Sequence, residues 1–201
     1  MKTFVITLLL AVCCATRGDE ASTNLLAICL LDRPAAQPWP RLDATNLKNL
    51  RPVSPPVLAD SDFVAFDTTN HTFAITGAAA KRLSLTIWSL AKKDAPGWGE
   101  DVPFVYHTGE FDLIPVPAPF VLQVRGEPIY AGAFYTSVSS SGFSGPAIMA
   151  EKMFISTNVA ASATFSFWIQ LGYPGALPGT PDPRNDSRIV SAAHTLFAKK
   201  K

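Results

Sequence analysis

The clearest pattern of apolar and polar positions lies between Phe120 and Phe134. Phe120, Leu122 and Val124 alternate with their neighbours at a period of two, and the alternation resumes from Ile129. This period is typical of a pleated strand. Arg125-Gly126-Glu127-Pro128 supplies the residues of a turn between the two runs. The pattern predicts a tight hairpin, followed by a Ser/Gly-rich loop over 137–145 and a short strand over 147–150.

Other segments also have the pattern of strands. The continuous apolar run from Leu25 to Leu31 is followed by Pro34, which indicates a strand buried on both faces in the centre of a sheet. Two short runs around 63–65 and 73–75 flank the turn residues Asp67 to Asn70 and predict a hairpin. Residues 102–114 predict a further pair of strands. Residues 164–171 alternate in the manner of a half-buried edge or hairpin strand.

Two segments have the pattern of helices. Thr76 can cap a helix that runs to about Lys93, and Asn185 or Asp186 can cap a second helix near the C-terminus. The apolar positions recur at spacings of three and four; they are Ala80, Leu83, Ile87 and Leu90 in the first helix, and Ile189, Ala193, Leu196 and Phe197 in the second. The sequence therefore predicts an α+β fold, a single domain with a mostly antiparallel sheet, one main helix packed on it and a short C-terminal helix.

The N-terminus has the layout of a secretory signal peptide. A short apolar run from Phe4 to Val12 follows Lys2 and leads to small residues. We expect cleavage after Ala15, with residues 16–201 forming one exported domain that includes a proline-rich connection over 34–56. The apolar run is shorter than a membrane span requires, so the mature protein is predicted to have no stable span and to reside in the periplasm or outside the cell.

The charge and the cysteine content argue against two kinds of function, nucleic acid binding and cysteine-based catalysis. The chain has 17 basic and 16 acidic residues, and the predicted leader contains only Lys2 among them, so the mature chain is formally neutral. No nucleic acid partner is expected for such a chain. Cys13 and Cys14 lie in the leader, which leaves Cys29 alone within an apolar run. We expect Cys29 to be buried and unreactive rather than nucleophilic.

Two blocks of the sequence resemble known proteins. FVAFDTTNHTFAITGAAAKRL at 63–83 and PFVLQVRGEPIYAGAFYTSVSSSGFSGPAI at 119–148 are similar to a group of exported bacterial proteins of the planctomycete and verrucomicrobial kind. PDPRNDSRI at 181–189 also fits this group. The order of strand, helix, hairpin and Gly-rich turn is similar, more distantly, to the periplasmic head subdomain of the preprotein translocase subunit SecD. That resemblance implies a head-like binding module without the transmembrane helices of SecD.

No pattern for catalysis or for a cofactor emerges. Gly142-Phe143-Ser144-Gly145 approaches a nucleophile elbow, but Pro146 follows and no helix is predicted after it. His71, His107 and His194 are scattered, without the ligand spacing of a zinc site. The acidic pairs Asp60 with Asp62 and Glu100 with Asp101 are expected to be solvated loop carboxylates. We therefore predict no catalytic residue, no metal site and no cofactor.

Aromatic side chains are the remaining candidates for binding. Tyr130, Phe134 and Tyr135, beside the Ser/Gly loop, could form a shallow groove for a peptide or a glycan. In the alternative interpretation, Tyr130 and Phe134 pack beneath the main helix. The sequence predicts an exported, non-enzymatic interaction module of the cell envelope whose partner is a protein or a glycan. The alternative is a secreted hydrolase with an unrecognised site.

Overall fold

The computed structural model describes residues 24–32, 47, 50–94, 118–135, 143–149 and 163–198. In chain order, its elements are β1 (Ala27–Leu30), β2 (Phe63–Asp67), β3 (Thr72–Thr76), α1 (Gly77–Asp94), β4 (Ala118–Val124), β5 (Glu127–Tyr135), β6 (Phe143–Met149), β7 (Thr164–Tyr173), a 3-10 turn (Pro183–Asn185) and α2 (Ser187–Ala198). The predicted leader, most of the proline-rich connection, the predicted strands over 102–114, Glu100, Asp101 and His107 lie outside the described residues.

The strands form one seven-stranded sheet in the order β1-β4-β5-β6-β7-β3-β2. Neighbouring strands are antiparallel, except that β5 and β6 are parallel, with Ala133 opposite Ala147. The predicted α+β class and mostly antiparallel sheet are therefore confirmed.

The helices differ from the prediction of one main helix and one short one. α1 has 18 residues and α2 has 12, so α2 is a helix of ordinary length. Ile189, Ala192 and Leu196 of α2 belong to the same apolar cluster as Leu83 and Ile87 of α1. Both helices thus bury an apolar side in one core. Neither helix, within the described part of the chain, combines the length and apolar content needed to cross a membrane.

The predicted caps are present at both helices. The Thr76 hydroxyl accepts a hydrogen bond from the Ala79 amide at 3.2 Å, as expected of a residue just before a helix. The Asp186 carboxylate accepts one from the Arg188 amide at 2.9 Å. Each cap satisfies an amide that the first turn of a helix leaves without an intrahelical partner.

β4 and β5 form a tight hairpin, as predicted, but the turn is shorter than the predicted Arg125-Gly126-Glu127-Pro128. Only Arg125 and Gly126 lie between the strands, because β5 begins at Glu127. Val124 pairs with Glu127 across the turn. Arg125 and Gly126 have φ values of 52° and 80°. Positive φ at both central positions gives the turn that matches the right-handed twist of the flanking strands.

The prediction that β1 lies in the centre of the sheet was wrong. β1 is at one end of the strand order, beside β4. Its outer edge is nevertheless covered by residues 50–58: Val53 and Val57 donate backbone hydrogen bonds to Leu30 and Ile28 at 2.7 and 2.9 Å, and Ile28 donates to Leu58 at 2.9 Å. This cover explains how a terminal strand can be buried at all four positions.

The positions of β6 and β7 also refine the prediction. β6 begins at Phe143, so 143–145 is strand rather than loop, while 136–142 lies outside the described residues. β7 was predicted to be an edge or hairpin strand; it lies between β6 and β3, which excludes the edge position. Its alternation is as expected, because Phe167 and Ile169 are buried whereas Ser166 and Trp168 are exposed.

Candidate binding face

The three aromatic residues singled out in the sequence are buried. Tyr130, Phe134 and Tyr135 are 1%, 2% and 3% exposed. Tyr130 and Phe134 pack against the ring of Phe120, with centroid distances of 6.3 and 5.0 Å. Burial raises the pKa of the Tyr130 hydroxyl far above its usual range. These two rings lie in the main core, which also contains residues of both helices. Their packing beneath the main helix and their role in binding both stay predictions.

Tyr135 lies in a separate aromatic cluster. Its ring stacks against Phe143 at 5.7 Å and against Tyr173 at 5.0 Å. The cluster also contains Ala133 and Ala147, whereas Tyr130 and Phe134 belong to the main core. β5 therefore contributes aromatic side chains to two separate clusters.

Asp60 and Asp62, which were predicted to be solvated loop carboxylates, form hydrogen bonds within the fold. Asp60 accepts hydrogen bonds from the amides of Leu25 and Leu26 at 2.9 and 2.8 Å. Asp62 accepts one from the Ala59 amide and forms an ion pair with Arg82 at 2.6 Å. Asp60 thus fixes the chain just before β1, and Asp62 connects the loop before β2 to α1. The expectation that both are merely solvated was wrong.

A second acidic group joins the chain before α2 to the sheet. Asp182 binds Arg184 through both carboxylate oxygens, at 2.8 and 2.7 Å, and Arg184 donates to the Ile169 carbonyl of β7 at 2.7 Å. The hydrogen bonds from Arg184 lower the pKa of Asp182. Burial lowers the pKa of the nearby His71. Both carboxylate oxygens of Asp182 are engaged by Arg184, which in turn binds β7, so this contact fixes the chain before α2 on the sheet.

The residues considered for chemistry are not brought together in the part of the chain that the structure describes. Cys29 is buried, and burial raises the pKa of its thiol, which disfavours the reactive thiolate. Ser144 and His194 are exposed. No group of three His, Cys, Asp or Glu side chains among the described residues is placed to hold a metal ion.

Two shallow depressions are present on the described surface. The larger, about 530 Å³, lies on the outer side of α1 beside Lys81 and Leu85. The smaller, about 280 Å³, lies between β2 and α2 beside Phe66 and His194. Ser144 lines neither of them, so no observation connects them with the hydrolase alternative.

The feature that sequence reasoning missed is an exposed tryptophan in the middle of β7. Trp168 is 55% exposed, although β7 has partner strands on both sides. Thr72 of β3 lies opposite Trp168, and Asp67 of β2 lies opposite Thr72. The adjacent row on the same side consists of Ala65, Ala74 and Ser166. We call these six residues the Trp168 face.

The sequence contains a signal for this face. Trp168 is in phase with Thr164, Ser166 and Gln170, the polar positions of the strand, and out of phase with Phe167 and Ile169. A large aromatic residue on the polar side of an alternating strand is expected to point away from the core. That observation alone would have favoured Trp168 over the buried rings.

Comparison with known proteins provides no family for the chain: no family model, no curated protein and no solved structure matches it. The resemblance to exported bacterial proteins and to the SecD head therefore stays a prediction. The argument about function rests on the geometry of the described residues.

Proposed function

We propose that this chain is an exported, non-enzymatic binding module of the cell envelope, comparable in role to a SecD head subdomain, and that the Trp168 face is its contact surface. The observation that supports the proposal is the exposure of Trp168, 55%, on an interior strand. Tryptophan is enriched among residues that dominate binding energy, because its large rigid ring gives much contact area at small entropic cost.

The core does not require this ring. Phe167 and Ile169 already fill the opposite side of β7 and are 2% and 1% exposed. Other large apolar side chains exposed in the described residues are Val64, Leu85 and Leu177. Leu85 lies on a helix and Leu177 in a loop, whereas Trp168 lies on a strand that has a partner strand on each side. Its backbone is therefore fixed by the sheet, which lowers the entropic cost of binding through this side chain.

The carboxylates support a non-enzymatic role. Asp60, Asp62 and Asp182 bind backbone amides or arginine side chains. The pKa of Asp182 is lowered by its hydrogen bonds with Arg184, as that of Asp186 is by those with Arg188. The lowered pKa values of Asp182 and Asp186 make these two carboxyl groups poorly suited to donate protons in catalysis.

Site-specific photo-crosslinking in the native host tests the proposal. A benzophenone amino acid at Ser166, an exposed position on the Trp168 face, is expected to form an adduct with a macromolecule. The same group at Leu177, which is 65% exposed in the loop before α2, is the matched control and is expected to form none. Equal adducts at both positions, or none at Ser166, would contradict the proposal.

A further inference from the structure

We infer that mild acid weakens the contact between the turn that joins β2 to β3 and the segment before α2, and that His71 is the group that senses the pH. The contact consists of His71 in the turn, Ile169 of β7, and Asp182 and Arg184 before α2. We call these four residues the His71 latch. The inference goes beyond the proposed binding function and does not depend on it.

Ile169 joins the two sides of the His71 latch. Its amide donates a hydrogen bond to the His71 carbonyl at 2.8 Å, and its carbonyl accepts one from the Arg184 guanidinium at 2.7 Å. In an antiparallel ladder, the N–H and C=O groups of one residue point to the same neighbouring strand. The guanidinium therefore lies beside His71, where the ladder of β3 and β7 ends.

Arg184 holds the segment before α2 on the sheet. Its side chain is only 13% exposed and binds both carboxylate oxygens of Asp182, at 2.8 and 2.7 Å. α2 begins three residues later and buries Ile189 and Leu196 in the main core. A change in the surroundings of Arg184 therefore acts on the attachment of α2 to the sheet.

His71 is half-buried among charged groups. The charges that act on it are those of Asp67 in its own turn and of Asp182 and Arg184 before α2. From α2, the exposed His194 lines the depression next to this turn. β7 contributes backbone groups to the contact rather than a charge. His71 thus has a buried cation as its neighbour on one side.

Both carboxylates near His71 already have hydrogen-bond donors. Asp182 accepts from Arg184, and Asp67 accepts from the Thr69 amide and the Asn70 side chain. A protonated imidazole would compete with these donors for the carboxylates. It would also repel the Arg184 guanidinium, and this repulsion is stronger in a partly buried contact than in water.

The direction of the pH effect follows from the burial of His71. Burial is the largest influence on the pKa of His71 and lowers it, and the charge of Arg184 lowers it further. The fold therefore favours the neutral imidazole. The stability that depends on neutral His71 is fully present above the ordinary histidine pKa of 6.5 and is lost as the pH falls through the lowered folded-state value. Asp182 stays ionised in this range, because its pKa is lowered from 3.8.

Hydrogen exchange followed by mass spectrometry at about pH 7.5 and about pH 5 tests the inference, because these conditions bracket the titration of histidine. Labelling times are adjusted for the direct effect of pH on exchange. In the natural chain, peptides from 180–198 should lose protection in acid, whereas peptides from β4 and β5 should keep it. His71→Asn should abolish this loss, because asparagine does not titrate and tolerates the positive φ of 51° at this position.

His194→Gln is the matched control, since it removes the exposed histidine of α2 and should leave the acid-induced loss unchanged. A second measurement needs no variant: in an NMR titration of the natural chain, the His71 ring should have a lower midpoint than histidine in a short unstructured peptide. A midpoint at or above the peptide value would overturn the inference. So would an equal loss of protection in His71→Asn, an equal loss in β4 and β5, or no loss in the natural chain.

Discussion

Gly132 shows how a single residue constrains the sheet. A Cβ atom at this position would collide with the ring of Phe120 and lie 2.6 Å from the Pro146 carbonyl oxygen of β6. This glycine therefore makes room for an aromatic ring and for the neighbouring strand.

Gly132→Ala is expected to lower the free energy of unfolding by about 2–3 kcal/mol, because a methyl group is forced into a filled space. Urea unfolding measures the change. Gly175→Ala is the control, since no atom lies within 4 Å of its added Cβ, and we expect it to be nearly neutral. Adding Phe120→Leu should recover only part of the loss, because the contact with the Pro146 backbone remains. Equal stability of Gly132→Ala and the natural chain would contradict this account.

At the scale of elements, two sets of hydrogen bonds fix segments whose positions cannot be predicted from the pattern of apolar residues. Residues 50–58 cover the outer edge of β1, with Pro52, Pro55 and Pro56 among them. Prolines are tolerated beside an edge strand because they need not donate to the ladder. The second connection is the contact of Asp182 and Arg184, which joins the 3-10 turn before α2 to Ile169 of β7.

Asp182→Asn is expected to lower the free energy of unfolding by about 1–2 kcal/mol at pH 7, because the charged hydrogen bonds with Arg184 are lost. Because hydrogen bonding with Arg184 lowers the folded-state pKa of Asp182, its contribution is present above the ordinary carboxyl pKa. The contribution is lost as the pH falls through the lowered value. The stability difference between the two proteins should therefore shrink in acid. His71 is present in both proteins, so its titration largely cancels in the difference.

Arg184→Lys tests whether the contact with Asp182 depends on the paired hydrogen bonds of the guanidinium or only on its positive charge. Lysine keeps the positive charge but cannot form the two parallel hydrogen bonds of a guanidinium. We expect this variant to lose most of the same stability, as measured by urea unfolding across pH. Stability close to that of the natural chain would show that charge alone suffices. A pH-independent effect of Asp182→Asn would contradict the assigned role of its ionised carboxylate.

At the scale of the whole molecule, the sheet joins segments that are far apart in the sequence. β1 pairs with β4, and β3 pairs with β7. One apolar cluster contains Leu30 of β1, Leu83 of α1 and Ile189 of α2. Because the ends of the described chain share this core, we expect them to unfold together.

Leu30→Ala and Ile189→Ala are each expected to lower stability by about 2–4 kcal/mol. In each variant, urea transitions followed by tryptophan fluorescence and by far-ultraviolet circular dichroism should shift together. Leu177→Ala, an exposed control, should leave the midpoint nearly unchanged. Separate transitions in either core variant would show that the chain contains independently folding parts.

The sequence predicted local features well because they depend on neighbouring residues. The hairpin of β4 and β5, the Thr76 cap and the alternation of β7 are all present. The sequence-based prediction was wrong where a feature depends on contacts between residues that are far apart in the chain. The apolar run of β1 indicated burial on both faces, but it carried no information that residues 50–58 would cover the outer edge of the strand. The candidate residues were chosen by aromatic content, which does not distinguish the buried Tyr130 from the exposed Trp168. The phase of Trp168 within the alternating strand β7 is the local signal that does.

The tight packing around β5 also determines how relatives of this chain can be sought. Ala131 and Ala133 are 0% exposed, and Gly132 between them admits no Cβ. Substitutions here are restricted to the smallest side chains whatever the protein binds. Trp168 and Ser166, in contrast, are exposed and can change at little cost to folding. A search for distant relatives should therefore weight the small-residue triplet and the aromatic ring facing it, and leave position 168 free to vary.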